Sequence, residues 1–367
     1  MKALLFANTG WYLYNFRLPL AKGLRDRGWE VVLVSPYDEY CPKLIKEGFR
    51  WVNFPLSRKG LNPFIELWTV FSLIRFYLRE RPTAAQHFTV KCILYGTLAA
   101  KLSGVYRIIN AVTGMGYIFS KDGLNPKLLR YFLGWVYRPI LGKTEVIFQN
   151  GDDLDHFLKS GWIVSKQAHL IPGSGVDMDK FTPAPEPPGI VTVLLASRML
   201  WPKGIQDFVD AARILQTGKI RAQFVLVGDT DPGNPQAVPL QALKDWEAEG
   251  IVKWWGWEDN MPSIYQKVHI VCLPSYYREG VPRTLIEASA MGRPIVTTDS
   301  PGCREVVRPG KNGLMVPAHD PQALAEALKT LILDPDLRKR MGLGGRSIAV
   351  REYSLPMILE KTLSLYL

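Results

Sequence analysis

The sequence predicts an α/β protein of two doubly wound, Rossmann-like domains facing one another across a cleft. Three observations carry this. The length of 367 residues exceeds what one core usually organises, since domains typically run to about 100–200 residues. Short apolar runs alternate with helix-length amphipathic segments, as a parallel sheet with crossover helices requires. The alternation also stops at a proline- and glycine-rich break near the middle and then starts again.

The first series of apolar runs is Ala3 to Ala7, Glu30 to Ser35, Trp51 to Phe54, Ala84 to His87, Arg107 to Ala111, Glu145 to Gln149 and His169 to Ile171. Between them, stretches such as Phe16 to Arg27 and Lys91 to Ser103 read as helices. The break follows in Pro172-Gly173-Ser174-Gly175 and Pro183-Ala184-Pro185-Glu186-Pro187-Pro188-Gly189. Proline fixes φ and removes a donor, so this density forbids a regular ladder or helix and marks a linker. The second series is Val191 to Ala196, Phe224 to Val227, Ile251 to Trp254, Ile270 to Leu273, Ile295 to Thr297 and Leu314 to Val316, with helices such as Ile205 to Gln216 and Arg283 to Met291. The cluster Gly342-Leu343-Gly344-Gly345 reads as a helix end. The expected organisation is a first domain over 1–175, a second over 176–350, and a C-terminal helix over 351–367 returning to the first. Open parallel sheets bind ligands outside the carboxyl ends of their strands, which places the expected site in the cleft.

Hydrophobic residues make up 47% of the chain and charged residues 22%, so no stretch is biased towards disorder. The four cysteines are dispersed without a Cys-x-x-Cys pair, which favours free thiols in a reducing compartment over zinc or disulfides. The apolar run near Met1 is too short for a signal peptide, and no run reaches the roughly 18–20 residues that span a bilayer. The expected location is therefore cytoplasmic, with any membrane contact peripheral. The net charge of +11 is uneven: residues 1–175 hold 23 Lys+Arg against 12 Asp+Glu, and residues 176–367 hold 22 against 22. A basic first half calls for an anionic partner, either a membrane surface or a phosphate-bearing substrate. Nucleic acid is not an expected partner, because no recognition motif accompanies the charge. Two helical segments, Phe64 to Arg81 and Leu128 to Lys143, carry more aromatics than a core face needs, flanked by cations. That composition suits an interfacial helix and favours docking on the inner face of an anionic membrane.

The most informative stretch is Pro274-Ser275-Tyr276-Tyr277-Arg278-Glu279-Gly280-Val281-Pro282-Arg283-Thr284-Leu285-Ile286-Glu287-Ala288, which follows an apolar run and opens a helix. A helix start offers free N–H groups and a positive dipole end to phosphate, and the two glutamates can accept bonds from hydroxyls. A second stretch, Ala196-Ser197-Arg198-Met199-Leu200-Trp201-Pro202-Lys203-Gly204, sets two cations in a loop at a strand's end, where they can clamp a diphosphate. Asp229-Thr230-Asp231 sits among turn residues, so its acids have a backbone reason to be there and no metal is expected. The loop Asn8-Thr9-Gly10-Trp11 lacks the second and third glycines of a dinucleotide fingerprint.

These segments resemble the family-four retaining glycosyltransferases of the two-domain GT-B fold. The Glu-Gly-x-Pro and following Glu-Ala match that family's paired-glutamate motif, and Arg198 to Gly204 matches its Arg-x-x-x-x-Lys-Gly segment. His87-Phe88-Thr89-Val90-Lys91, Tyr95-Gly96 and Thr113-Gly114-Met115-Gly116 resemble a bacterial subgroup that builds lipid-linked surface glycans, departing at Cys92 and Met115. The resemblance covers nearly the whole chain. It implies a retaining hexosyltransferase that moves a sugar from a UDP-sugar donor to a polyprenyl-diphosphate-linked saccharide, without metal or other cofactor. It implies that Glu279 contacts the transferred sugar, that Glu287 holds the ribose, and that Arg198 and Lys203 stabilise the leaving diphosphate. Gly280, Val281, Pro282, Thr284 and Leu285 complete the donor loop, Gly10 would let backbone approach the diphosphate, and Trp257 would meet the uracil through its backbone. His87 would lie beside the reacting carbon. Thr113 belongs to the acceptor side; Lys91 either meets acceptor phosphates or is a solvated lysine, and Arg17 is either acceptor-facing or simply surface. A UDP-N-acetylglucosamine 2-epimerase on the same fold is the competing reading.

Overall fold

A computed structural model of the protein describes residues 1–56, 62–114, 137–231 and 233–367. The chain forms two compact units: one holds the described residues up to Ser174 together with Pro356–Leu367, the other Gly175–Leu355.

The first unit is a seven-stranded parallel sheet of β1 (Lys2–Phe6), β2 (Glu30–Ser35), β3 (Arg50–Asn53), β4 (Ala84–Phe88), β5 (Arg107–Val112), β6 (Glu145–Phe148) and β7 (Ala168–Leu170), in the order β3-β2-β1-β4-β5-β6-β7. The second is a six-stranded parallel sheet of β8 (Thr192–Ala196), β9 (Gln223–Val227), β10 (Lys253–Trp254), β11 (Ile270–Leu273), β12 (Ile295–Thr298) and β13 (Gly313–Val316), in the order β10-β9-β8-β11-β12-β13. Each apolar run of the sequence became a strand, because a strand covered by helices on both faces must be apolar at successive positions. In both sheets the order reverses at the first and fourth strands, so the ends of β1 and β4 and the ends of β8 and β11 are the topological switch points.

The first unit's helices include α1 (Gly10–Tyr12), α2 (Leu18–Asp26), α3 (Cys41–Lys46), α4 (Pro63–Glu80), α5 (Val90–Leu102) and α6 (Gly151–Lys159). A π-helical turn, Leu13–Arg17, joins α1 to α2. In the second unit α7 (Ile205–Thr217), α8 (Leu240–Ala248), α9 (Met261–Gln266), α10 (Arg283–Ala290), α11 (Cys303–Val306), α12 (Pro321–Leu333) and α13 (Pro335–Tyr353) cover the sheet. The chain then enters α14 (Leu355–Leu363), whose Ile358 and Leu363, with Leu365 and Tyr366 beyond it, pack into the first unit's core beside Leu20, Leu24 and Trp29.

The glycine cluster corrects the sequence reading. Gly342, Gly344 and Gly345 lie inside α13 rather than at a helix end. A Cβ on Gly342 would collide with the Gly292 carbonyl oxygen and one on Gly344 with that of Lys311, while Gly345 lies against Ser289 of α10. The glycines let α13 approach this closely, which offsets their poor helix propensity. Of the two aromatic segments singled out in the sequence, Phe64 to Arg81 is α4, whereas most of Leu128 to Lys143 lies outside the described residues.

Candidate active site

The loops at the carboxyl ends of β8, β11 and β12 interlock. Pro202, in a 3₁₀ turn over Trp201–Lys203, accepts hydrogen bonds on its carbonyl from the backbone N–H of Tyr276 at 3.0 Å and of Tyr277 at 3.1 Å. The Ser275 hydroxyl lies 3.2 Å from the same carbonyl and 3.0 Å from Glu279 Oε1, and its one proton serves either acceptor. From the other side Ser300 and Thr298 donate to the Ser275 carbonyl. The Thr284 hydroxyl, in the first turn of α10, donates to the Ala196 carbonyl at 2.9 Å. Gly204 and Gly302, both at positive φ, flank this loop: a Cβ on the first would strike the Pro274 carbonyl oxygen and on the second that of Gly280. Two glycines and four hydroxyls thus fix the course of residues 274–284.

The scaffold brings Lys203 and Glu279 together. Their side chains are 13% and 11% exposed and form a direct ion pair, and the Lys203 ammonium lies 5.5 Å from the Tyr277 ring centroid. Removed from bulk water, such a pair is held more tightly than a surface one, and either partner left alone would be a costly charge. Arg198, on the same loop, is half exposed and only loosely paired with Asp231 at 3.5 Å, a contact of little energetic weight. Glu287 is buried on α10, with Oε1 accepting from Arg283 Nε at 2.7 Å and Oε2 from the Tyr265 hydroxyl at 3.2 Å. An ionised carboxylate has about four acceptor positions, so Glu287 is held in place with capacity left for a ligand hydroxyl. The turn at Gly256 and Trp257 sits at the end of β9, where the Gly228 N–H donates to the Gly256 carbonyl at 2.7 Å. Trp257 is 45% exposed there. Among the described residues no group of three or more His, Cys, Asp or Glu gathers as a metal would require.

The first unit departs from several expectations. His87 points into the core rather than towards solvent. It is fully buried, with Nε2 against the Tyr77 hydroxyl at 3.0 Å and Nδ1 against Asn110 Oδ1 at 2.9 Å, and its ring stacks on Tyr77 of α4. Gly96 of α5 covers the ring so closely that a Cβ there would overlap it. Burial pushes its pKa down to about 4, so the ring is neutral at neutral pH. With both nitrogens engaged, His87 ties α4 to β4 and β5 and has none to offer a reacting group.

Gly10 also has a packing reason to be glycine. A Cβ there would press on Asp38 Oδ1 and Cys41 Sγ at 2.5 Å, and the Trp11 N–H at the start of α1 is taken by Asp38 Oδ2 at 2.8 Å. In this structure the backbone of the loop is thus engaged by a carboxylate of the protein itself. Lys91 is not a solvated lysine: it bonds Glu66 of α4 at 2.7 Å. Arg17 is not a surface residue: it closes the π-helical turn 7% exposed, 4.5 Å from the Phe88 ring centroid and bonded to the Tyr12 hydroxyl at 2.7 Å. Thr113 follows β5 directly.

Sequence reasoning overlooked Ser275, Thr298, Ser300 and Tyr265, which position the two glutamates and their loop. Their types carry little signal alone. Ser275 stands only four residues before Glu279, and that spacing was the one available clue.

Two family models match the chain. "Glycosyl transferases group 1" covers residues 190–334, which hold the Arg198, Lys203, Glu279 and Glu287 constellation, and "Glycosyl transferase 4-like" covers residues 2–150. The chain belongs to the group 1, family-four glycosyltransferases. This glycosyltransferase is 29% identical to the N,N'-diacetylbacillosaminyl-diphospho-undecaprenol alpha-1,3-N-acetylgalactosaminyltransferase of Campylobacter jejuni, over 98% of this chain and 96% of the relative. It is 23% identical to the Escherichia coli UDP-Gal:alpha-D-GlcNAc-diphosphoundecaprenol alpha-1,3-galactosyltransferase, over 91% and 86%. Its fold matches that of Anabaena HepE in complex with UDP and glucose, at a TM-score of 0.81 and 19% identity over 99% and 98% of the two chains. The glycosyltransferase therefore has the GT-B fold of a family of retaining hexosyltransferases.

Proposed function

We propose that this glycosyltransferase moves a hexose or N-acetylhexosamine from a UDP-sugar to a saccharide carried on a polyprenyl diphosphate, with the donor bound by the second unit and the acceptor by the first. The observation that carries the reading is the convergence of Lys203 and Glu279 at the switch point of the second sheet, with Arg198 and Glu287 on the flanking elements. The two full-length relatives are both named for transfer to undecaprenyl-diphosphate saccharides, which supports the acceptor class.

In this reading Arg198 and Lys203 take the donor's diphosphate, Lys203 exchanging Glu279 for phosphate oxygen. Glu279 is then released to accept a hydroxyl of the transferred sugar, and Glu287 accepts from the ribose. Gly280, Val281, Pro282, Thr284 and Leu285 bring the α10 amino terminus to the diphosphate, and the Trp257 backbone meets the base. The anomeric C1–O bond to the diphosphate breaks as the acceptor oxygen attacks the same face, and the leaving phosphate oxygen takes the acceptor proton. Preorganised cations stabilise the charge developing on that oxygen and require no side-chain nucleophile. Arg17, Lys91 and Thr113 lie near the ends of β4 and β5 or on the turn after β1, on the acceptor's side. Arg17 and Lys91 reach it only by exchanging their Tyr12 and Glu66 partners.

The test is release of free UDP from a panel of UDP-sugars, with and without a synthetic polyprenyl-diphosphate monosaccharide, comparing wild type with Glu279→Ala and Lys203→Ala. Lipid-dependent release abolished by both substitutions supports the reading. UDP-sugar isomerised without acceptor, or no release with any lipid, overturns it.

A further inference from the structure

The outer face of α4 carries large apolar side chains that the fold does not use. Phe64, Trp68, Phe71 and Leu78 recur at helical spacing and are 84%, 69%, 48% and 52% exposed. Core packing does not explain them, because α4 makes its core contacts with the opposite face through Leu73 and Tyr77. That inner face is further tied down by polar contacts: Glu66 to Lys91, Tyr77 to His87, and Glu80 to both Lys2 and Arg50. Both acids of the helix are thereby turned inward and neutralised. Every formal charge left on the outer side is positive, with Arg75 and Arg79 exposed along the stripe and Arg81 just beyond it. Arg75 stands 6.0 Å from the Phe71 ring centroid, and Phe71 pairs with Trp68 at 6.0 Å.

We infer that this face docks the protein on an anionic phospholipid bilayer, with α4 lying in the plane of the headgroups. Aromatic rings at the level of the acyl boundary and arginines reaching the phosphates are the chemistry of an interfacial helix. The excess of cations over acids in residues 1–175, 23 against 12, adds long-range attraction of the same sign. A second copy of the chain fits less well, because pairing this face would bring Arg75 and Arg79 into an interface to which α4 offers no acid, Glu66 and Glu80 both being engaged on the inner side. No helix of the described residues is long and apolar enough to cross a membrane, so docking is on the surface. The inference rests for its purpose on the reaction proposed above, since a polyprenyl-linked acceptor is met at a bilayer, but docking itself is measured without substrate.

The experiment is co-sedimentation of the full-length protein with phosphatidylcholine vesicles, with and without phosphatidylglycerol, at low and high salt. The variants are Phe64→Ser/Trp68→Ser/Phe71→Ser and Arg75→Glu/Arg79→Glu, each first matched to wild type by thermal melting. Wild type should partition onto the anionic vesicles. The apolar triple variant should lose roughly 100-fold in partitioning, and the charge-reversed variant should lose its salt-sensitive preference for anionic lipid. Folded variants that sediment as wild type does would overturn the inference. So would a wild type that ignores vesicles but self-associates through this face in sedimentation velocity. Lipid-dependent UDP release that persists while docking fails would refute this inference and leave the proposed reaction standing.

Discussion

Replacing Gly302 by alanine perturbs the glutamate loop from behind, without replacing any residue proposed to meet substrate. Gly302 has φ of 82°, and the added Cβ would overlap the Gly280 carbonyl oxygen and come within 2.9 Å of Glu279 Cβ. Backbone strain at such φ costs an L-residue about 1–2 kcal/mol. The overlap must also be relieved, which requires the Glu279–Gly280 backbone to retreat by about 1 Å to an ordinary contact distance. A shift of that size in a positioning element lowers turnover by roughly 100-fold. Gly310→Ala is the control: its φ is 76°, yet nothing lies within 4 Å of the added Cβ, so it carries the strain without the collision. UDP release and thermal melting are measured on both. Both should melt about 2–8 °C lower, and only Gly302→Ala should lose activity beyond that. Equal activity in the two variants would refute the argument that loop position sets the rate.

Other outcomes follow from the same geometry. Arg198→Ala should lower kcat by about 100-fold or more with a smaller change in KM, since its proposed contact strengthens as the leaving diphosphate gains charge; stopped-flow UDP release separates the two. Tyr265→Phe removes one of two bonds that orient Glu287 and should raise the donor KM several-fold with kcat little changed, measured by initial rates against UDP-sugar concentration. His87, held near 4 against an ordinary value of 6.5, remains unprotonated in the fold while the unfolded chain takes up the proton. Its contribution to stability is therefore complete above pH 6.5 and declines by about 3 kcal/mol as pH falls towards 4. Urea unfolding from pH 7 to 4.5 should show this decline in wild type and a shallower one in His87→Gln.

Much of this arrangement is legible in the sequence because it is local. Strands buried on both faces are continuous apolar runs, and the ends of β8 and β11 are followed directly by the Arg198 to Gly204 and Pro274 to Glu287 segments. What stays hidden depends on partners far along the chain. His87 ends an apolar run, which suggests an exposed strand end, but the alternation of β4 turns it towards Tyr77 and Gly96. Lys91 reads as a cation at a helix start until Glu66, 25 residues earlier, pairs with it. Gly10 marks a tight approach, and the groups that approach it within the chain are Asp38 and Cys41, from 28 and 31 residues further on. The glycines of α13 resemble a terminator because their contacts lie on Gly292, Lys311 and Ser289.

The placement of α14 has a consequence for how the protein is made. Leu363, Leu365 and Tyr366 complete the core of the first unit, the Tyr366 hydroxyl donates to the buried Gln86 at 2.6 Å, and Arg107 bonds the carbonyl oxygens of Leu365 and Leu367. These residues leave the ribosome after the whole second unit has been synthesised. During translation the first unit therefore waits with an apolar surface beside Leu20 and Trp29 uncovered, while the second can close as soon as α13 emerges. The order of synthesis and the order of completion are opposite, so a nascent chain arrested before Leu363 would pair a finished carboxyl-side unit with an open, chaperone-accessible amino-side one.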